Sequence, residues 1–178
     1  MALAISGTAF AGSSATVEFA DYTNQVSGGA NSKLYSLAVK HDLTNTFAAD
    51  VGFGNQVTDG TGALSTRLEA GLTGSTALFG SVKGYTRVAL GQKYTNTTDF
   101  SYYSIEPGVS MPVGPFVAKV GYRYRTATNS TANADQTNTG RASLSYALSK
   151  NDSVALGYDH IRGDSQNNVV KVSYTRGF

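Results

Sequence analysis

Two histidines, 12 carboxylates, 14 Lys and Arg residues and no cysteine make up the reactive inventory of this 178-residue chain. A general base or an activated nucleophile has to be oriented by a second group, and the histidines offer little for that. His41 lies beside the short turn expected from Asp42 to Asn45, while His160 directly follows Asp159. Neighbouring side chains of an extended segment point to opposite faces, so Asp159 cannot orient His160 from the adjoining position. The sequence has no Gly-rich phosphate loop, no metal-ligand spacing and no nucleophile elbow. No disulfide or cysteine metal site is possible. No catalytic residue, cofactor or metal is therefore expected.

The charged residues follow a different pattern: they fall on one phase of segments that alternate with apolar residues. On that phase lie Lys40, Arg67, Lys83, Arg87, Lys119, Arg123, Arg125, Arg141 and Lys171, together with Glu18, Asp50, Glu69, Glu106 and Asp159. Two kinds of chemistry suit such a set. Charges shut away from bulk water must find partners, and they could pair across segments into a salt-bridged plug. Alternatively, a water-filled pore with excess positive charge would favour anions. In that pore the lining cations would be Lys83, Arg87, Lys119, Arg123 and Arg141. The many Gly, Ala and Ser residues on the same phase leave space, and both readings stand.

The elements that must hold these residues are strands of about ten residues with period-two alternation, closed by tight turns and polar loops in turn. Segment 15–22 sets Val17 and Phe19 against Thr16, Glu18 and Ala20; segment 33–41 sets Tyr35, Leu37 and Val39 against Ser36, Ala38 and Lys40. Segments 46–55 and 64–72 follow, the second ending before a turn expected around Gly74 and Ser75. A fifth begins between 77 and 82 and carries Val88 and Leu90 opposite Arg87 and Ala89. The sixth, 100–110, contains Pro107, which cannot donate to a ladder. PVGP at 112–115 has the composition of a tight turn. FVAKVGYRYR, the clearest segment, opposes Phe116, Val120, Tyr122 and Tyr124 to Lys119, Arg123 and Arg125. Two further segments carry Leu144 and Tyr146, then Leu156 and Tyr158. The last, NVVKVSYTRGF at 168–178, brings the number to ten, and an even number lets both termini share one side.

Composition decides where such a sheet could live. Charged residues are 15% of the chain, against roughly 25% in an average soluble domain, and no apolar run approaches the roughly 18 residues of a spanning helix. A spanning strand needs apolar residues on one face only, so a mean hydropathy of -0.19 is compatible with a transmembrane barrel. The net charge of +2 is too mild to argue for nucleic acid. Outward aromatics would gather in two belts. Tyr35, Phe53, Tyr103, Tyr124 and Tyr158 would form one; Phe47, Phe116, Tyr146, Tyr174 and Phe178 would form the other. Aliphatic residues between two aromatic belts fit a bilayer, because amphipathic rings prefer the headgroup level. The expected fold is an all-β, antiparallel up-and-down barrel of about ten strands.

The final segment, with Val170, Val172 and Tyr174 on one face and Phe178 last, resembles the C-terminal signature strand of Gram-negative outer-membrane β-barrels; Arg176 departs from it where an apolar residue is often found. The resemblance implies a small porin-like or structural outer-membrane protein, with Tyr174 and Phe178 read by the assembly machinery. Near the start, Ala9-Phe10-Ala11 has the A-x-A pattern of a signal-peptide cleavage site, so residues 1–11 are expected to be a signal remnant and 12–178 the barrel. Loops such as TNQVSGGANS and TATNSTANADQTN are hydrophilic and carry no ligand motif, and QKYTNTTD at 92–99 is expected to be a further loop. The expected partners are outer-membrane lipid, the assembly machinery and small solutes. Function is then expected to be a passive channel for small, preferably anionic, solutes, or a closed barrel acting through its outer loops.

Overall fold

The computed structural model describes residues 12–128 and 136–178; the expected signal remnant at 1–11 lies outside them. The ten strands are β1 (Ser13–Asn24), β2 (Ser32–Asp42), β3 (Phe47–Thr58), β4 (Leu64–Phe79), β5 (Val82–Tyr94), β6 (Asp99–Val113), β7 (Phe116–Ala127), β8 (Thr137–Ala147), β9 (Asp152–Gly163) and β10 (Asn167–Gly177). Each pairs antiparallel with its sequence neighbours, and β10 pairs with β1, so the sheet closes into a barrel. Closure removes every free strand edge, which is the condition for placing a sheet in hydrocarbon. The last residue takes part in it. Phe178 donates its backbone N–H to the Ser13 carbonyl at 2.9 Å and accepts from the Ser13 N–H at 3.2 Å.

Alternation decides which residues face out, and the register carries that choice round the ring. Val17 stands opposite Leu37 and Tyr174, Leu37 opposite Phe53, and Phe53 opposite Leu68. These outward side chains are uncovered: Val17 is 52% exposed, Val51 58%, Leu90 67% and Leu156 59%. In water each would forgo about 1 kcal/mol or more of burial free energy, whereas a bilayer covers the entire belt. The two aromatic belts form at its rims. Phe19 packs on Tyr35 with ring centroids 5.3 Å apart and Tyr103 on Tyr124 at 6.4 Å, while Phe116 packs on Tyr146 at 5.4 Å near the opposite rim.

The segment boundaries need correction at several points. Gly74 and Ser75 do not turn; they stay in β4, opposite Thr86 and Tyr85, and the turn comes at Gly80 and Ser81. Gly80 has φ of 53°, a left-handed conformation that costs glycine nothing. The hydrophobic pattern through Ala77, Leu78 and Phe79 hides this because a register shift between Ala77 and Phe79 breaks the alternation. PVGP is half strand and half turn, since β6 continues to Val113 and only Gly114, with φ of 60°, and Pro115 form the bend. Pro107 lies inside β6 opposite Thr86 of β5, and the β6–β7 ladder has no pair at Glu106 and Pro107. Strands also extend into stretches read as loop: β5 reaches Tyr94, β7 reaches Ala127 and β8 starts at Thr137. Polar residues there continue the ladder above the apolar belt.

The start of β1 and the end of β10 lie at the end carrying the shorter connections, 43–46, 80–81, 114–115 and 148–151. Short turns mark the periplasmic side of such barrels and longer loops the outer side.

Candidate functional site: the barrel lumen

Large inward side chains must fit a ten-stranded bore, and the chain makes room by setting glycines opposite them. The Tyr85 ring lies over Gly108 and Gly121 on the next two strands, Tyr102 lies over Gly91, and the Arg87 guanidinium lies over Gly71. A Cβ at any of these glycines would occupy the space of the side chain above it. The big residues therefore lie along the wall rather than across the bore.

At mid-height, the waist, these side chains form two ion-paired arcs. On β3–β6, Arg87 donates from Nε to Asp50 at 3.0 Å and from Nη1 to Glu69 at 2.6 Å; the Tyr102 hydroxyl donates to the other Glu69 oxygen at 2.9 Å. On the far side Arg141 of β8 donates to Glu106 of β6 and, at 3.3 Å, to Asp159 of β9. Lys171 of β10 donates to Asp159 at 2.8 Å and the Tyr85 hydroxyl to Glu106 at 3.1 Å. All four carboxylates are engaged, each within reach because the strands are neighbours or next neighbours. Pairs of this kind offset the desolvation that each charge suffers inside the wall.

Toward the outer end the arrangement changes. A cavity of about 100 Å³ is lined by residues from nine of the ten strands, among them Arg67, Lys93, Arg123 and Arg125, with no carboxylate among the described residues. Arg123 is only 9% exposed, and its Nε has no hydrogen-bond partner; the same holds for the buried Thr139 hydroxyl. Arg125 stacks over the Tyr102 ring with 5.2 Å to the centroid, and Lys93 over Phe100 with 5.5 Å. Facing these cations, Ala20, Leu34, Ile161 and Val169 of β1, β2, β9 and β10 form a buried apolar cluster on the inner wall, with Tyr22 packed against it. At the turn end a wider mouth of about 650 Å³ is lined by Lys40, Asp42 and Lys83, and Lys40 bonds Asp42 at 2.9 Å.

All the charged residues read as one phase do face inward. The structure adds Lys93 and Asp42, which had seemed to belong to a loop and a turn because the strand ends carry no apolar alternation. It also divides the set. Lys40, Arg87, Arg141 and Lys171 are held by carboxylates; Lys119 instead lies 4.0 Å over the Tyr85 ring. Arg67, Lys83 and Arg123 make no ion pair among the described residues. Sequence spacing had no signal for this division, because ion pairing depends on the register between strands. Glu18, by contrast, sits near β10 at mid-wall, opposite Ser173 and Ser36.

Neither histidine bonds a carboxylate among the described residues. His41 shares a hydrogen bond with the Ser13 hydroxyl at 2.9 Å at the turn end. His160 faces outward and donates from Nδ1 to Asn168 at 2.7 Å, while Arg162 donates to its Nε2 at 2.8 Å. On the terminal strand the Tyr174 hydroxyl donates to Asp152 at 2.5 Å, and Arg176 lies 3.6 Å from the same carboxylate. A cross-strand partner thus accommodates the one cation that departs from the apolar signature.

No family model matches the chain, and no curated protein sequence matches it. Its architecture does match solved structures. An outer-membrane channel from Pseudomonas putida F1 aligns with a TM-score of 0.64 at 9% identity, over 94% of this chain and 96% of that one. The β-domain of the Bordetella autotransporter Brka gives 0.59 at 12% identity, over 94% and 99%. The NanC porin gives 0.53 at 9% identity, over 92% and 100%. Identity this low speaks for the fold. Closed topology, an uncovered apolar belt between aromatic rims and a charged interior agree with it: this chain folds as a ten-stranded transmembrane β-barrel of the kind found in bacterial outer membranes.

Proposed function

We propose that the protein is a small porin-like passive channel, without enzymatic activity, that favours anionic solutes. The observation carrying this reading is the cationic outer end of the lumen, where Arg67 and Arg123 face the cavity without a carboxylate partner among the described residues. A narrow, low-dielectric bore with unbalanced positive charge attracts anions and repels cations. A channel and a porin among the structures of similar fold support the class of function without naming a solute. The ion-paired waist favours a second reading, a closed barrel whose outer loops carry the function.

Single-channel recording separates the two. Refolded protein in a planar bilayer under a salt gradient should give discrete current steps with an anion-selective reversal potential. Arg123→Gln and Arg67→Gln should each shift that potential toward zero, and an unchanged potential in both would remove these residues from the selectivity filter. A silent bilayer, with protein shown to be folded by its heat-sensitive gel mobility, would leave the closed-barrel reading.

The partners follow from the same placement: outer-membrane lipid around the belt, and the assembly machinery at the terminal strand. Tyr174 stands outward on β10, and Phe178, directly after the strand, is 71% exposed. Phe178→Ala should reduce assembled barrel in cells several-fold while leaving the purified, refolded barrel within about 1 kcal/mol of the parent, since little is packed on that ring.

A further inference from the structure

The outer cavity has two unlike walls. Arg67 and Arg123 stand on one, from β4 and β7. On the other, Leu34 and Ile161 border the cavity beside the Tyr22 ring. Water filling such a space would solvate the guanidiniums and be wasted on the apolar strip. A hydrophilic anion would satisfy only the first wall. Resting on the channel reading above, we propose that this cavity is a binding site for small organic carboxylates with a short aliphatic body. The carboxylate would sit between Arg67 and Arg123, and the alkyl chain would lie against Leu34 and Ile161.

Three observations converge. The Arg123 side chain is more than nine-tenths buried, lines the cavity and has an Nε–H without an acceptor. A planar guanidinium presents its donors in the geometry a carboxylate accepts. The apolar residues are held in place by one another, since Leu34 and Ile161 pack with Ala20 and Val169, so the strip is preformed. The size is also restrictive. At about 100 Å³ the cavity limits the aliphatic body to a short chain.

Isothermal titration calorimetry on the detergent-folded barrel tests this without requiring conduction. Acetate, propionate and butyrate are titrated at constant ionic strength, with chloride as the control anion. Affinity should rise from acetate to butyrate by roughly tenfold, as two methylenes leave water. Leu34→Ser with Ile161→Thr should flatten that rise. Arg123→Gln should weaken all three carboxylates about tenfold or more. Arg67→Gln supplies the same test should Arg123→Gln fail to fold. Equal affinities for acetate and butyrate would overturn the apolar half of the site. Binding no stronger than that of chloride would overturn the site altogether. If carboxylates bind in this graded way but the bilayer stays silent, the channel reading alone fails; if the bilayer conducts without graded binding, this inference alone fails.

Discussion

The waist and the outer vestibule are built from the same materials, arginines on alternate positions of neighbouring strands, yet they solve opposite problems. At the waist Arg87 is gripped by Asp50 and Glu69, and Arg141 by Glu106 and Asp159. In the vestibule Arg67 and Arg123 face a cavity that has no carboxylate among its described lining residues. An arginine matched by two carboxylates adds to the stability of the wall. An unmatched one costs stability and leaves its attraction available to a solute. Position on the inner face therefore does not assign a role; the partner across the ladder does.

Removing a waist arginine should break the comparison most visibly. Arg87→Met leaves Asp50 and Glu69 close together without their shared cation, and losing one partner of an enclosed ion pair costs about 3 kcal/mol. Urea unfolding in lipid vesicles should show a loss of that order, largely recovered when Asp50→Asn and Glu69→Gln are added. A loss below about 1 kcal/mol would mean that lumen water already solvates these carboxylates and that the waist resembles the vestibule.

The glycines that hold the waist side chains against the wall come next. A Cβ at Gly91 would collide with the Tyr102 ring and crowd the Leu68 carbonyl. Gly91→Ala should destabilise by about 1 to 3 kcal/mol, as overpacking does, and should lower the single-channel current by pushing the ring toward the bore. An unchanged current together with the lost stability would place the constriction elsewhere.

The smallest effect belongs to the vestibule and has the opposite sign. Arg123→Gln relieves repulsion with Arg67 and Arg125, so unfolding free energy should stay level or rise by up to about 1 kcal/mol even as anion preference falls. A drop like that of Arg87→Met would reveal a hidden partner for Arg123 and erase the distinction between the two regions.

Much of this architecture is legible along the chain. Strict alternation through FVAKVGYRYR places Lys119, Arg123 and Arg125 on the inner face before any fold is known, and the pairing of β7 with β6 and β8 keeps them there. Legibility ends where alternation ends. Gly74 reads as a turn but continues β4, because a polar, small-residue strand and a turn have the same composition. Lys93 and Asp42 read as loop and turn residues because polar strand ends above and below the bilayer need no apolar face.

The sequence by itself determines the number of strands, their inward and outward faces, the aromatic rims and the excess of inward positive charge, since each follows from local periodicity and composition. Only the tertiary structure decides which cations are neutralised. Arg141 meets Glu106 and Asp159 through strand register, and Arg87 reaches Asp50 from two strands away. Periodicity says which way a side chain points; the stagger of the ladder says what it meets there.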